Sequence, residues 1–169
     1  MWNVMQKLAL ALGFVTVLGA GQARADIVKQ QAPCDSACVA FAAGVGGIYT
    51  VRSLSFTAPG PGALLLSFHG VLYCTNFAAT KSTILVASQI VENSDDPDGN
   101  GPSGLSFSGS LEPGNTSLRT LSFNLSSQRV FKIRTPGSYT YRFRLERSNL
   151  PADTNCTVYN GTFQTHFVE

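Results

Sequence analysis

The sequence predicts an all-β fold, an antiparallel β-sandwich of about eight strands in jelly-roll form, preceded by a short N-terminal helix or loop segment. Three observations carry this. From Ile48 onward, apolar and polar residues alternate with a period of two. Clusters of Gly, Pro, Asn and Asp interrupt the alternation at short intervals. Only one short segment near the N-terminus offers a helical pattern.

Residues 1–25 read as a cleavable signal peptide. Lys7 ends a short n-region, Leu8–Leu18 is apolar but for Gly13 and Thr16, and Ala23-Arg24-Ala25 is a small-x-small cleavage triplet. The apolar run is about 11 residues, short of the roughly 20 that a spanning helix needs. No Cys stands at the cleavage point, against a lipoprotein. The chain is therefore expected to be secreted or periplasmic, and to fold from Asp26 to Glu169 as a single domain.

Residues 26–47 read as a lead-in segment, and residues 48–169 as the sandwich. In the lead-in, Asp35 is placed to cap a helix reaching about Ala43, with Gly44 ending it. Cys34, Cys38 and Phe41 would share one face of that helix. Strands are then expected from Ile48, over Ala63–Tyr73 and over Ser82–Val91. Glu92–Gly104 is an open loop. Further strands follow at Leu105–Ser110, Ser117–Leu125, Arg129–Arg134, Ser138–Arg147 and Asn155–Phe167. Turns are read at Pro113-Gly114-Asn115, Ser126-Ser127-Gln128, Pro136-Gly137 and Asn149-Leu150-Pro151.

An internal echo points to two layers related by pseudo-symmetry. Phe56 precedes Gly62-x-Leu64-x-Leu66 by the same five-residue gap that separates Phe131 from Gly137-x-Tyr139-x-Tyr141-x-Phe143. Pro61 and Pro136 stand just before the two glycines. Each copy ends a strand on an aromatic, reverses at Pro-Gly and turns alternate apolar side chains inward. The second copy resembles the later half of the C1q-domain signature, with Tyr141 where that family usually has Phe. The resemblance covers about 13 residues of the 169, and Asn124 departs from the earlier half of the signature. It implies a jelly roll of the C1q and tumour-necrosis-factor type, with ten strands, which in those families often trimerises and binds ligands at its surface. No collagen-like run precedes it.

Four cysteines, Cys34, Cys38, Cys74 and Cys156, lie beyond the cleavage point, and an even number in an exported chain reads as disulfides. Three pairings exist. Cys34–Cys38 as a local clip with Cys74–Cys156 as a long-range staple is favoured; a rival ties the N-terminal segment to both later strands. In the chain-entropy model the staple contributes at most about 4 to 5 kcal/mol. The spacing lacks the paired C-x-x-C knuckles of a zinc site.

The chain has 12 Lys+Arg and 10 Asp+Glu, and loses Lys7 and Arg24 with the signal peptide, so the mature part is neutral. A general affinity for nucleic acid does not follow. Positive charge is local: Arg119, Arg129, Lys132, Arg134, Arg142, Arg144 and Arg147 face a single acid, Glu146, in that stretch. If the Pro136-Gly137 turn pairs its two flanking strands, Lys132, Arg134, Arg142 and Arg144 cluster on the outer face. Such a face would bind an acidic glycan, a lipid head group or an acidic protein. The competing reading is a solvated outer face.

Asp96-x-Asp98-x-Asn100-Gly101 matches the first half of a calcium loop, with hard oxygen ligands at alternate positions. Phe107 stands where the template needs a bidentate Glu, so a polar turn competes with the metal site. No cofactor is otherwise implied. Catalytic motifs are lacking: no G-x-S-x-G elbow, no H-E-x-x-H and no phosphate loop. His69 reads as a satisfied or edge histidine and His166 as a surface residue. Four N-x-S/T sequons occur, at Asn115, Asn124, Asn155 and Asn160. The reading is a non-enzymatic sandwich that binds a partner or ligand at its surface. A structural subunit of an oligomeric extracellular assembly is the alternative, and a hydrolase with an unrecognised site is the third class.

Overall fold

Strict alternation of buried and exposed side chains makes long strands here, and long strands make two layers. The computed structural model describes residues 28–41, 46–92, 106–117 and 119–169. These form eight strands: β1 (Val28–Phe41), β2 (Ile48–Ala58), β3 (Gly62–Asn76), β4 (Ser82–Glu92), β5 (Ser106–Leu111), β6 (Thr120–Ile133), β7 (Gly137–Asn149) and β8 (Thr154–Val168). They pair antiparallel in two four-stranded sheets, β1-β8-β3-β6 and β2-β7-β4-β5. This is the jelly-roll arrangement, in which successive strands lie in different sheets except β4 and β5, which pair with each other. The residues expected as a signal peptide lie outside the described part.

The inward residues of the two sheets make one core. Leu64, Leu66, Phe68, Leu72, Phe163 and Phe167 from the first sheet meet Leu54, Phe56, Ile84, Ile90, Tyr141 and Phe143 from the second. Polar contacts also cross between the layers: Ser88 Oγ and Ser127 Oγ lie 2.7 Å apart in the interior, and Arg129 of β6 donates to the Ile90 carbonyl of β4.

The Pro-Gly corners behave differently from the expectation. Each is an arch between sheets, because β2 and β3 lie in different sheets, as do β6 and β7. The echo is nonetheless real in the pairing. Phe56 opposes Tyr139 and Ala58 opposes Gly137, while Phe131 opposes Leu64 and Ile133 opposes Gly62. Exchanging the two copies thus maps one set of pairs onto the other, a local pseudo-two-fold. Its centre is occupied by equivalent residues, Phe68 and Phe143, whose rings stack face to face at 3.8 Å and 7°.

Two further expectations are corrected. Asp35 caps no helix; Val28–Phe41 is an edge strand paired with β8, so this part of the expected lead-in belongs to the sandwich. Helix propensity is a weak prior, and a register of eleven paired positions outweighs it. The four-residue spacing that mimicked a helix arises from register shifts between Cys34 and Val39. An unbulged strand holds residues four apart about 13 Å apart; here the Cys34 and Cys38 Cα atoms are 5.6 Å apart, and the pair is disulfide-bonded. Secondly, Ser126-Ser127-Gln128 is no turn. β6 runs through it in one register with β3, since nothing there forces a positive φ or removes a ladder donor. The strand count of eight therefore survives through two opposite errors, and the ten strands implied by the C1q resemblance are not reached among the described residues.

Cys74 and Cys156 are disulfide-bonded, and are cross-strand partners of β3 and β8, with Cα atoms 4.1 Å apart, close to a non-hydrogen-bonded antiparallel pair. Both are buried. The favoured pairing is thus the one formed.

Candidate functional site

The basic face is not assembled. Lys132, on the first sheet, is exposed, as is Arg134 just beyond it, whereas Arg142 and Arg144 lie on β7 of the second sheet. The physical reason is the arch at Pro136-Gly137: it sends β7 to the opposite layer rather than alongside β6. Arg144, moreover, is only 6 % exposed, and Arg142 is half-buried between Ser53 and Val91 in register. Other cations of the stretch are held by the protein itself. Arg129 donates from Nη1 to the Ile90 carbonyl at 2.7 Å and lies over the Phe131 ring. Arg147 donates to the Gly46 carbonyl and lies over Tyr49. Arg119 donates to the Gly114 carbonyl and lies over Phe77. Asp96, Asp98 and Asn100 lie outside the described residues.

What the fold does bring together is a polar row across the outer face of β1-β8-β3-β6. Gln31 opposes Gln164, Gln164 opposes Ser67, and Ser67 opposes Gln128. Gln31 Nε2 donates to Gln164 Oε1 at 3.5 Å, and Gln164 Nε2 donates to Ser67 Oγ at 3.0 Å. On one side of this row stands His69, with Nδ1 3.3 Å from Ser126 Oγ. On the other stands His166, opposite Leu65. His69 and His166, with the Gln–Ser row between them, line a depression of about 210 Å³. His69 is exposed and His166 half-buried, with the latter's Nε2 buried and without a hydrogen-bond partner among the described residues. The Ser126–His69 pair has no carboxylate among the depression's lining to orient the imidazole. Farther along the same face, exposed Tyr73 and Tyr159 meet edge to face at 6.4 Å.

The sequence carried a partial signal for this site. The alternation Thr162, Gln164, His166 puts those side chains on one face of β8. Nothing local says that Gln31 and Gln128, about a hundred residues apart, fall on either side of it.

The second notable feature is an edge. The four edge strands are β1 and β6 in one sheet, β2 and β5 in the other. β1 carries Pro33 and register shifts, β2 shifts register between Thr50 and Arg52, and β5 spans six of the described residues. β6 has 14 residues and pairs with β3 without interruption. Its stretch Thr120–Gln128 holds no charge, no Pro and no Gly.

No protein-family model and no curated protein matches the chain. Solved structures do match. One is the structure of the Gx strain of infectious bursal disease virus, at 14% identity and a TM-score of 0.48, covering 85% of this chain and 32% of that one. Another is the VP2 subviral particle of the same virus, at 16% identity and a TM-score of 0.42, covering 85% and 33%. The chain spans about a third of the length of the structures it matches.

Proposed function

We propose that the chain is a structural subunit of an oligomeric extracellular assembly, joined to a second copy along β6. Two disulfides fit an oxidising, non-cytoplasmic setting. The observation that carries the reading is the unprotected edge. A long, flat edge strand presents a row of unpaired N–H and C=O groups, and proteins that remain single blunt such edges with Pro, bulges, short strands or charge. Among the described residues, three of the four edges are blunted in those ways. β6 is not blunted over Thr120–Gln128. Antiparallel pairing of that stretch with its own copy is isologous and sets no like charges opposite one another.

Light scattering on the exported protein tests this. The wild type is expected to be a dimer or larger. Ser122→Lys with Asn124→Lys, at two exposed positions of β6, is expected to give a folded monomer. A wild type that stays monomeric at millimolar concentration, or a variant with unchanged mass, would overturn the reading.

A further inference from the structure

We propose that the depression between His69 and His166 binds a neutral polyhydroxylated ligand, a sugar residue of an uncharged glycan. The site stands independently of the assembly reading, because it lies on a sheet face and not at the edge.

The lining is polar: amides of Gln31, Gln128 and Gln164, the Ser67 hydroxyl, Thr165 and two imidazoles. The lining holds no Lys, Arg, Asp or Glu, so it presents neither a carboxylate nor a fixed cation to a ligand. It offers groups that both donate and accept, which is the chemistry of a hydroxyl ligand. The hydrogen bonds already made orient the site without exhausting it. Gln164 uses both ends of its amide, accepting from Gln31 and donating to Ser67. That pins the middle of the row. His69 is oriented through Nδ1 by Ser126, which leaves Nε2 turned to other partners. His166 Nε2 is a buried polar atom without a partner among the described residues, a cost that a ligand hydroxyl would remove.

Shape and apolar surface agree with the same class. A volume of about 210 Å³ is below the roughly 300–1,000 Å³ of drug-sized ligand sites and suits a single ring. Leu65 supplies apolar lining for the C–H face of such a ring. Tyr73 and Tyr159 continue the same face, Tyr73 four residues along β3 from His69, or about 13 Å at the strand's rise per residue. Neighbouring residues of a chain-like glycan could stack there.

The test is a nuclear magnetic resonance titration of the exported chain with cellotetraose, chitotetraose, xylotetraose and mannotetraose in turn. At least one is expected to give saturable shifts of the His69 and His166 ring signals and of the Gln128 and Gln164 side-chain amides. Gln128→Ala and His69→Ala, both at exposed positions, are expected to weaken that binding at least about tenfold, with thermal melts unchanged. Three outcomes would overturn the proposal: no saturable shift with any of the four sugars, unchanged affinity in both variants, or shifts confined to Arg142 and Arg144.

Discussion

The two corner units, Phe56–Phe68 and Phe131–Phe143, occupy equivalent places and are built from different chemistry. In the first, Gly62 is required by space: a Cβ there would lie 2.5 Å from the Val168 carbonyl oxygen. In the second, Gly137 is required by conformation: its φ is +155°, and the nearest atom to an added Cβ is 4.0 Å away. The first turns Leu66 into the core where the second turns in Tyr141, a hydroxyl that is buried with no partner among the described residues. The first has its central strand, β3, stapled to β8 by Cys74–Cys156, whereas β7 is held to β4 by pairing. Pseudo-symmetry therefore resides in register and in the Phe68–Phe143 stack, and it tolerates quite different local solutions.

The largest effect that would break the comparison is loss of the staple. Cys74→Ala with Cys156→Ala is expected to lower unfolding free energy by about 4.5 kcal/mol, the chain-entropy figure for a separation of 82 residues. Urea denaturation reads it. A loss no larger than that from Cys34→Ala with Cys38→Ala, whose separation is four, would contradict the assignment of the staple as the principal cross-link.

The two glycines sharpen the comparison next. Gly62→Ala forces the added Cβ against the Val168 carbonyl and the Phe167 ring and is expected to cost about 3 kcal/mol. Gly137→Ala is expected to cost about 1–2 kcal/mol, since only its dihedral is unfavourable. Equal losses would show that the two corners obey one constraint.

The smallest effect has the opposite sign. Tyr141→Phe removes an unpaired buried hydroxyl and is expected to raise stability by about 1 kcal/mol. Burial first, then the negative charge of Glu92 and the neighbouring Tyr139, push the Tyr141 phenol well above its usual 10.0. The folded state thus holds a proton that the unfolded state releases as pH rises through that usual value. The contribution to stability is complete below it and is lost progressively above it. Wild-type melts are expected to fall more steeply than those of Tyr141→Phe in the alkaline range. Parallel curves would remove Tyr141 as the cause.

Much of the fold was legible because its cause is local. Alternation at Tyr49–Ser53, Ser82–Val91 and Ser138–Arg147 marks strands wherever one face is buried. The Pro59-Gly60-Pro61-Gly62 and Pro136-Gly137 clusters mark reversals. The errors fall where a distant partner decides. Val28–Phe41 carries a helix-like Cys spacing and becomes a strand only because β8 is beside it. Ser126-Ser127-Gln128 has turn-like composition and stays extended because β3 carries the register through it. For the site the same division holds: Thr162, Gln164 and His166 could be placed on one face, but the row Gln31–Gln164–Ser67–Gln128 joins four strands and has no signature in any one of them.

By itself the sequence determined the class of structure, since burying one face of a two-residue repeat leaves little but a sandwich of strands. It also determined the corners, through residues that constrain φ and the ladder. Only the tertiary structure decided which sheet each strand joins. A Pro-Gly corner closes a hairpin or an arch with equal ease, and the choice is made by long-range pairing. That choice separated Lys132 and Arg134 from Arg142 and Arg144, and brought two histidines and a row of amides to the same face instead.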